Sequence, residues 1–174
     1  PETRSKYGIY DSEPGNTAPH TFYVTGFDDG CVRQFTAAMA LFGSPQTHEQ
    51  LRYGLPSQVQ PYSATDAAYE KLKSKVCRVG QGKPCGSGMN RLARDTVFVS
   101  VYERFGSNPV WKTLLLHDGA VIETDEHGGG SSETLLNALT VIPCEDSLLS
   151  VTAVTPVANS PMTLRRSISD ITSD

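Results

Sequence analysis

The sequence predicts an α+β fold, with helices packed on one face of a mostly antiparallel sheet. Three observations point to it. Val97, Val99 and Val101 alternate with Phe98 and Tyr102, the period of a strand covered on both faces. Asp118-Gly119 sits between two strand-like runs, as a type I′ hairpin requires. Ser44-Pro45 and Ser63-Ala-Thr-Asp66 both read as helix starts. The predicted order is a strand, helices, then a three-stranded meander, which is the α+β layout.

The elements follow in chain order. Residues 1–19 are polar, carry Gly8, Pro14, Gly15 and Pro19, and read as an extended N-terminal arm. Thr21 to Phe27 is rich in β-branched and aromatic residues and reads as a strand. Cys31, Phe35, Ala38 and Phe42 fall at helical spacing after a possible Asp28 or Asp29 cap, so a helix is expected, ending at Gly43. A second helix runs from Ser44 to Gly54. A third starts at Ser63, with Ala68, Leu72 and Val76 as its apolar stripe, Lys71, Lys73 and Lys75 outside, and Gly80 as its stop. Residues 80–90 read as Gly-rich loop. The meander comprises 96–105, 110–117 and 120–124, with a Gly-rich linker at 125–132. Glu133 to Ile142 is expected as a short helix, Leu149 to Ala153 as a last strand, and 156–174 as a disordered tail. The single domain therefore spans 20–155.

Composition narrows the classes. The 174 residues are 38% hydrophobic and 20% charged, ordinary values for one water-soluble domain with one core. No apolar run reaches the ~20 residues of a transmembrane helix. Fifteen basic against nineteen acidic residues give a net charge of −4, so nucleic acid is not the expected partner. The four cysteines, Cys31, Cys77, Cys85 and Cys144, are even in number and lack C-x(2–4)-C spacing, which favours two disulfides over a zinc site. Cys77–Cys85 would close a Gly/Pro-rich loop, leaving Cys31 to pair with Cys144. Disulfides imply an extracytoplasmic, secreted or periplasmic setting. The polar start Pro1-Glu-Thr-Arg-Ser-Lys6 is what removal of a leader would leave.

Two constellations carry candidate chemistry. Cys85-Gly-Ser-Gly-Met-Asn-Arg91 fits C-x-x-G-x-x-R and resembles the phosphate-binding loop of cysteine-dependent phosphatases. The resemblance implies a Cys85 thiolate nucleophile with Arg91 on the phosphate. The family's Ser/Thr after the Arg is Leu92 here, and a Cys77–Cys85 bridge would remove the nucleophile. His117, Glu103 and Arg104 on the meander resemble the acid, base and phosphate-binding residues of small microbial endoribonucleases. Glu103 and Arg104 are neighbours, so only one can share a face with His117. His48-Glu49 opens like a zincin helix, but Arg52 occupies the second His position. His20 and His127 read as exposed loop residues. No histidine pair has ligand spacing, so no metal or other cofactor is expected.

The residues favour an exported, non-enzymatic domain that binds a protein or small molecule. Its expected surface is the 78–90 loop together with Trp111, including Tyr102 and Lys83. The alternative is a small phosphoester hydrolase built on His117 or Cys85.

Overall fold

Two antiparallel sheets and a layer of helices make the fold, in a computed structural model that describes residues 1–54, 61–128 and 140–141. The first sheet has the order β1 (Glu2–Arg4), β2 (Tyr7–Asp11), β3 (His20–Thr25), β4 (Arg33–Ala37) and β9 (Thr140–Val141). The second has the order β5 (Met39–Gly43), β6 (Thr96–Arg104), β7 (Val110–His117) and β8 (Ala120–His127). The helices α1 (Pro45–Gly54), α2 (Ala64–Cys77) and α3 (Met89–Asp95) complete it. All described residues lie in one unit, Pro1–Cys144. The α+β class is as predicted.

The main core lies between the sheets. Tyr7, Ile9, Phe22, Val24, Phe35 and Ala37 face it from the first sheet, and Phe42, Val97, Val99, Val101, Leu114 and Leu116 from the second. Each such buried Val, Leu or Phe contributes about 1.5–3 kcal/mol. The other face of the second sheet carries Phe98 and Leu115, which pack under Tyr69, Leu92 and Cys85. Ala68, Leu72 and Val76 of α2 close that smaller core. The helices do cover one face of an antiparallel sheet. The sheet on its opposite face is the feature the expected order lacked.

Several elements differ from expectation. The helix expected over 31–43 is two strands, β4 and β5, one in each sheet. Phe35 and Ala37 are buried in alternation, and so are Ala38, Ala40 and Phe42. The two period-2 runs slip by one residue at Ala37-Ala38, where the chain changes sheets, and the slip imitates a helical stripe. The expected polar arm contains two strands, β1 and β2. β2 pairs with β3, and Tyr7 and Ile9 are buried. The Tyr7 hydroxyl accepts from the Gly119 amide at 2.7 Å, which ties the first sheet to the β7–β8 hairpin.

Met89 and Asn90, expected in the loop, begin the helix α3. Arg78, in the left-handed conformation, caps α2 two residues before the expected Gly80. Asp125 to His127 extend β8 into the expected linker. Thr140 and Val141 pair with β4 instead of ending a helix. The rest of that expected helix, the expected last strand and the tail lie outside the described residues.

The turn and cap signals hold. Asp118 and Gly119 both have positive φ, 46° and 78°. The left-handed φ of Gly119 favours glycine there, and a Cβ would in addition have to displace the exposed Asp28 carboxylate, 2.1 Å away. Ser63 and Asp66 form a reciprocal capping box. The Ser44 hydroxyl accepts from the Thr47 amide at 3.0 Å at the start of α1.

A buried polar cluster joins α1, α2 and the 78–88 loop. Lys73 was expected outside, yet it is wholly buried. It stands four residues after Tyr69, on the same helix face. Its ammonium donates to Glu70 Oε2 at 2.6 Å and also to the Tyr53 hydroxyl. Glu70 accepts in addition from Tyr53 and from the Gly82 amide. Burial raises the Glu70 pKa, but the hydrogen bonds from Lys73, Tyr53 and Gly82 outweigh it and hold the carboxyl below its ordinary value. Glu49 of α1 accepts from Tyr69 at 2.8 Å and from the Cys85 amide at 3.1 Å. The Cys77–Cys85 disulfide, with Cα atoms 5.4 Å apart, closes the same loop. The other expected pair involves Cys144, outside the described residues; Cys31 is not a free thiol.

Two measurements check this account. Lys73→Ala leaves the Glu70 carboxylate buried without its cation and is expected to cost about 3–5 kcal/mol in urea denaturation. Joint replacement of Cys77 and Cys85 by Ala opens an eight-residue separation and is expected to cost about 2–3 kcal/mol in the same assay.

Candidate functional site

The helix-facing side of the second sheet is organised in cross-strand rows. Tyr102, Trp111 and His127 form one row, and Ser100, Thr113 and Asp125 the next. Phe98, Leu115 and Glu123 form the third, and Thr96 with His117 the last. Helix α2 lies across these rows. Its first turn meets Asp125, which accepts from the Ala64 amide at 3.0 Å, from the Thr65 amide at 2.9 Å and from the Thr65 hydroxyl. Burial raises the Asp125 pKa, but the Ser63 and Thr65 hydrogen bonds outweigh it and keep the carboxyl ionised. The carboxylate thus supplies the anion that a helix N-terminus favours.

Beyond that point, among the described residues, a cleft of about 640 Å³ opens on the sheet face. Trp111, Thr113, Asp125 and His127 line it from the sheet. His48, Leu51 and Arg52 line it from α1, and Tyr62 and Asp66 from the start of α2. The volume is within the range of small-molecule sites, about 300–1,000 Å³. Trp111 and His127 stack with centroids 4.9 Å apart and planes 15° apart. The Arg52 guanidinium lies 3.7 Å from the centroid of the Tyr62 ring. One wall therefore carries the Trp111–His127 stack, and the other the Tyr62 ring with the nearly buried Arg52 on one of its faces.

Polar groups line the interior. His48 and Arg52 are four residues apart and share one face of α1. His48 stacks on Phe98 at 4.3 Å and meets Tyr69 edge-on at 4.6 Å. Its Nε2 faces Asp66 Oδ1 at 3.4 Å without hydrogen-bond geometry. Arg52 lies 3.6 Å from Asp66 Oδ2, which also accepts from the Ser63 amide. Burial lowers the His48 pKa and prevails over the pull of Asp66, so the imidazole is neutral at pH 7.

The structure separates the remaining sequence candidates. Tyr102 is Trp111's cross-strand partner but stacks on Phe105 rather than lining the cleft. Lys83 is exposed in the disulfide-closed loop. That loop joins the C-terminal end of α2, whereas Trp111 lies near its N-terminal end. The loop folds back along the helix, with Gly82 donating to Glu70 and lying beside the Tyr62 hydroxyl at the rim of the cleft, although no residue of the loop is among those that line the cleft with Trp111. His117 pairs with Thr96, and Glu103 is seven residues further along β6, about 24 Å away. Glu103 pairs with Lys112, and Arg104 donates to the Asn108 carbonyl at 3.0 Å. The endoribonuclease-like triad is not assembled. Cys85 is buried and bonded to Cys77, so the phosphatase-like loop has no thiolate. Arg91 instead donates to the Val76 carbonyl.

The histidines also depart from expectation. His20 is buried in β3 between the Ala18 carbonyl and Asp11, and His127 stacks on Trp111. His48 and Arg52, central to the cleft, were visible in the sequence only as a failed zincin pattern. Their i, i+4 spacing beside the Ser63 capping box is the signal that could have marked them. Among the described residues, no three His, Cys, Asp or Glu side chains group as a metal site.

Fold and site define an α+β domain with an aromatic-lined cleft on the helix-facing side of its second sheet. Comparison with known protein families, curated proteins and solved structures finds no match to this chain.

The His48 environment makes a pH prediction. Its pKa is lower in the folded than in the unfolded protein, so its contribution is complete above the unfolded value of about 6.5 and is lost as pH falls. His20 is shifted upward, mainly by the Ala18 carbonyl, and contributes with the opposite sign. Urea midpoints measured between pH 7 and pH 5 are expected to fall less in His48→Gln than in the parent protein. The difference isolates His48.

Proposed function

We propose that this protein is an exported, non-enzymatic binding domain whose site is the Trp111 cleft. The observation behind the proposal is the pairing of two π-surfaces, Trp111 on His127 and Arg52 on Tyr62, around one cavity of ligand size. Flat rings gain most from such walls. Polar side chains that line the cleft, such as Thr113 and Asp66, would set orientation through hydrogen bonds. The favoured ligand is a small molecule with a flat ring and a hydrogen-bonding rim.

Export is supported by the Cys77–Cys85 disulfide, since such bonds persist in oxidising compartments. Among the described residues, no helix is long and apolar enough to cross a membrane. The phosphoester-hydrolase alternative loses support, because Glu103 and Arg104 lie far from His117 and Cys85 is not a thiol.

Trp111 is the chain's single tryptophan, so its emission reports the cleft directly. Titration with a panel of nucleosides, methyl pyranosides and indole is expected to yield at least one saturable emission change. Tyr62→Ala is expected to weaken that binding several-fold while leaving the urea midpoint close to that of the parent. No emission change from any compound at millimolar concentration rejects the cleft as the site.

A further inference from the structure

A second recess, of about 370 Å³, lies at the opposite end of α2. Lys75 and Arg78 reach it from the end of α2, Arg91 and Arg94 from α3, and His117 from the end of β7. The first four are exposed. Asp95 is the one carboxylate lining it, and Arg94 engages it at 3.0 Å. Four cations thus stand against Asp95 and the nearby Asp118, which also acts on Arg94.

A helix C-terminus does attract cations, but its dipole is equivalent to only about −0.5 charge. That half-charge, Asp95 and Asp118 together still leave about 1.5 positive charges unbalanced. A phosphate monoester, which carries about −1.5 to −2 charges at pH 7, matches the excess. The cations are also placed rather than scattered. The disulfide and the Glu49 contact to the Cys85 amide hold the end of α2 beside the start of α3. The bond from Arg91 to the Val76 carbonyl fixes that guanidinium over the last turn of α2. His117 is oriented by a 2.9 Å hydrogen bond between its Nδ1 and the Thr96 hydroxyl.

The recess is continuous with a groove of about 810 Å³ between α2 and β8, since Lys75, Val76 and His117 line both. The groove floor is mainly apolar, with Ala67, Ala68, Leu72 and Ile122, and Lys71 and Glu123 stand at its sides. We infer that this composite surface binds a soluble phosphate monoester of an apolar alcohol. The phosphoryl group occupies the basic recess and the apolar ester group lies in the groove. This site is separate from the Trp111 cleft.

Calorimetric titration tests the inference with octyl phosphate, inorganic phosphate and octyl glucoside. Octyl phosphate is expected to bind at least about tenfold more tightly than either of the others. The double substitution Arg78→Gln, Arg91→Gln is expected to weaken it about tenfold or more, as is raising the salt concentration. Ala67→Glu, at an exposed helix position, is expected to weaken octyl phosphate more than inorganic phosphate. Denaturant midpoints verify that each variant is folded. Equal affinity for octyl phosphate and inorganic phosphate overturns the inference. So does undiminished binding by the folded double variant. Trp111 emission is expected to stay constant throughout, and a change on binding would place the ligand in the other cleft.

Discussion

The Glu70–Lys73 ion pair is the joint on which the helical layer depends. Two charges removed from water are tolerated only when each is paired and its remaining hydrogen bonds are filled. Here Tyr53 of α1 and the Gly82 amide complete that shell around the pair on α2. One carboxylate therefore sets the position of α1 and of the disulfide-closed loop relative to α2. A shift of either element would leave a buried charge without a partner. Glu49 repeats the arrangement one helix over, taking Tyr69 and the Cys85 amide. The disulfide then acts on ends already brought together by buried carboxylates.

The placement of α2 accounts for both recesses. The helix crosses the sheet face with its first turn on Asp125 and its last turn beside Arg91 and His117. Its middle is filled by Tyr69, Leu72 and Val76 over Phe98 and Leu115. Among the described residues, no comparable packing covers either end. At the N-terminal end the sheet row is aromatic, which makes a cleft with a π-wall. At the C-terminal end the helix dipole is negative and α3 arrives with arginines, which makes a basic recess. The two sites differ in chemistry because they lie at opposite poles of one helix.

Local signals in the chain determined a good part of this fold. The alternation of 97–101, the Asp118-Gly119 turn and the capping box at Ser63 each specify backbone geometry over a few residues, and each appears as read. The Cys77–Cys85 bridge was legible for the same reason, because a short glycine-rich loop brings its own ends close. Trp111, which lines the cleft proposed as the ligand site, stood out in the sequence, whereas His48, Arg52 and Tyr62, which line the same cleft, did not.

What tertiary structure alone decided concerns groups distant in sequence. Residues 33–43 satisfy a helical period and an interrupted alternation equally well, and only pairing with β3 and β6 selects strands. Tyr7 and Ile9 look like part of a polar arm until β3 provides an edge to join. Lys73 belongs to the solvent by residue type, and only the approach of Tyr53 and Gly82 makes its burial affordable. The candidate sites have the same origin, since α1, α2 and the sheet contribute to the cleft, and two helices and a strand end to the basic recess. Periodicity and capping depend on neighbours along the chain, whereas burial and site geometry depend on neighbours in space.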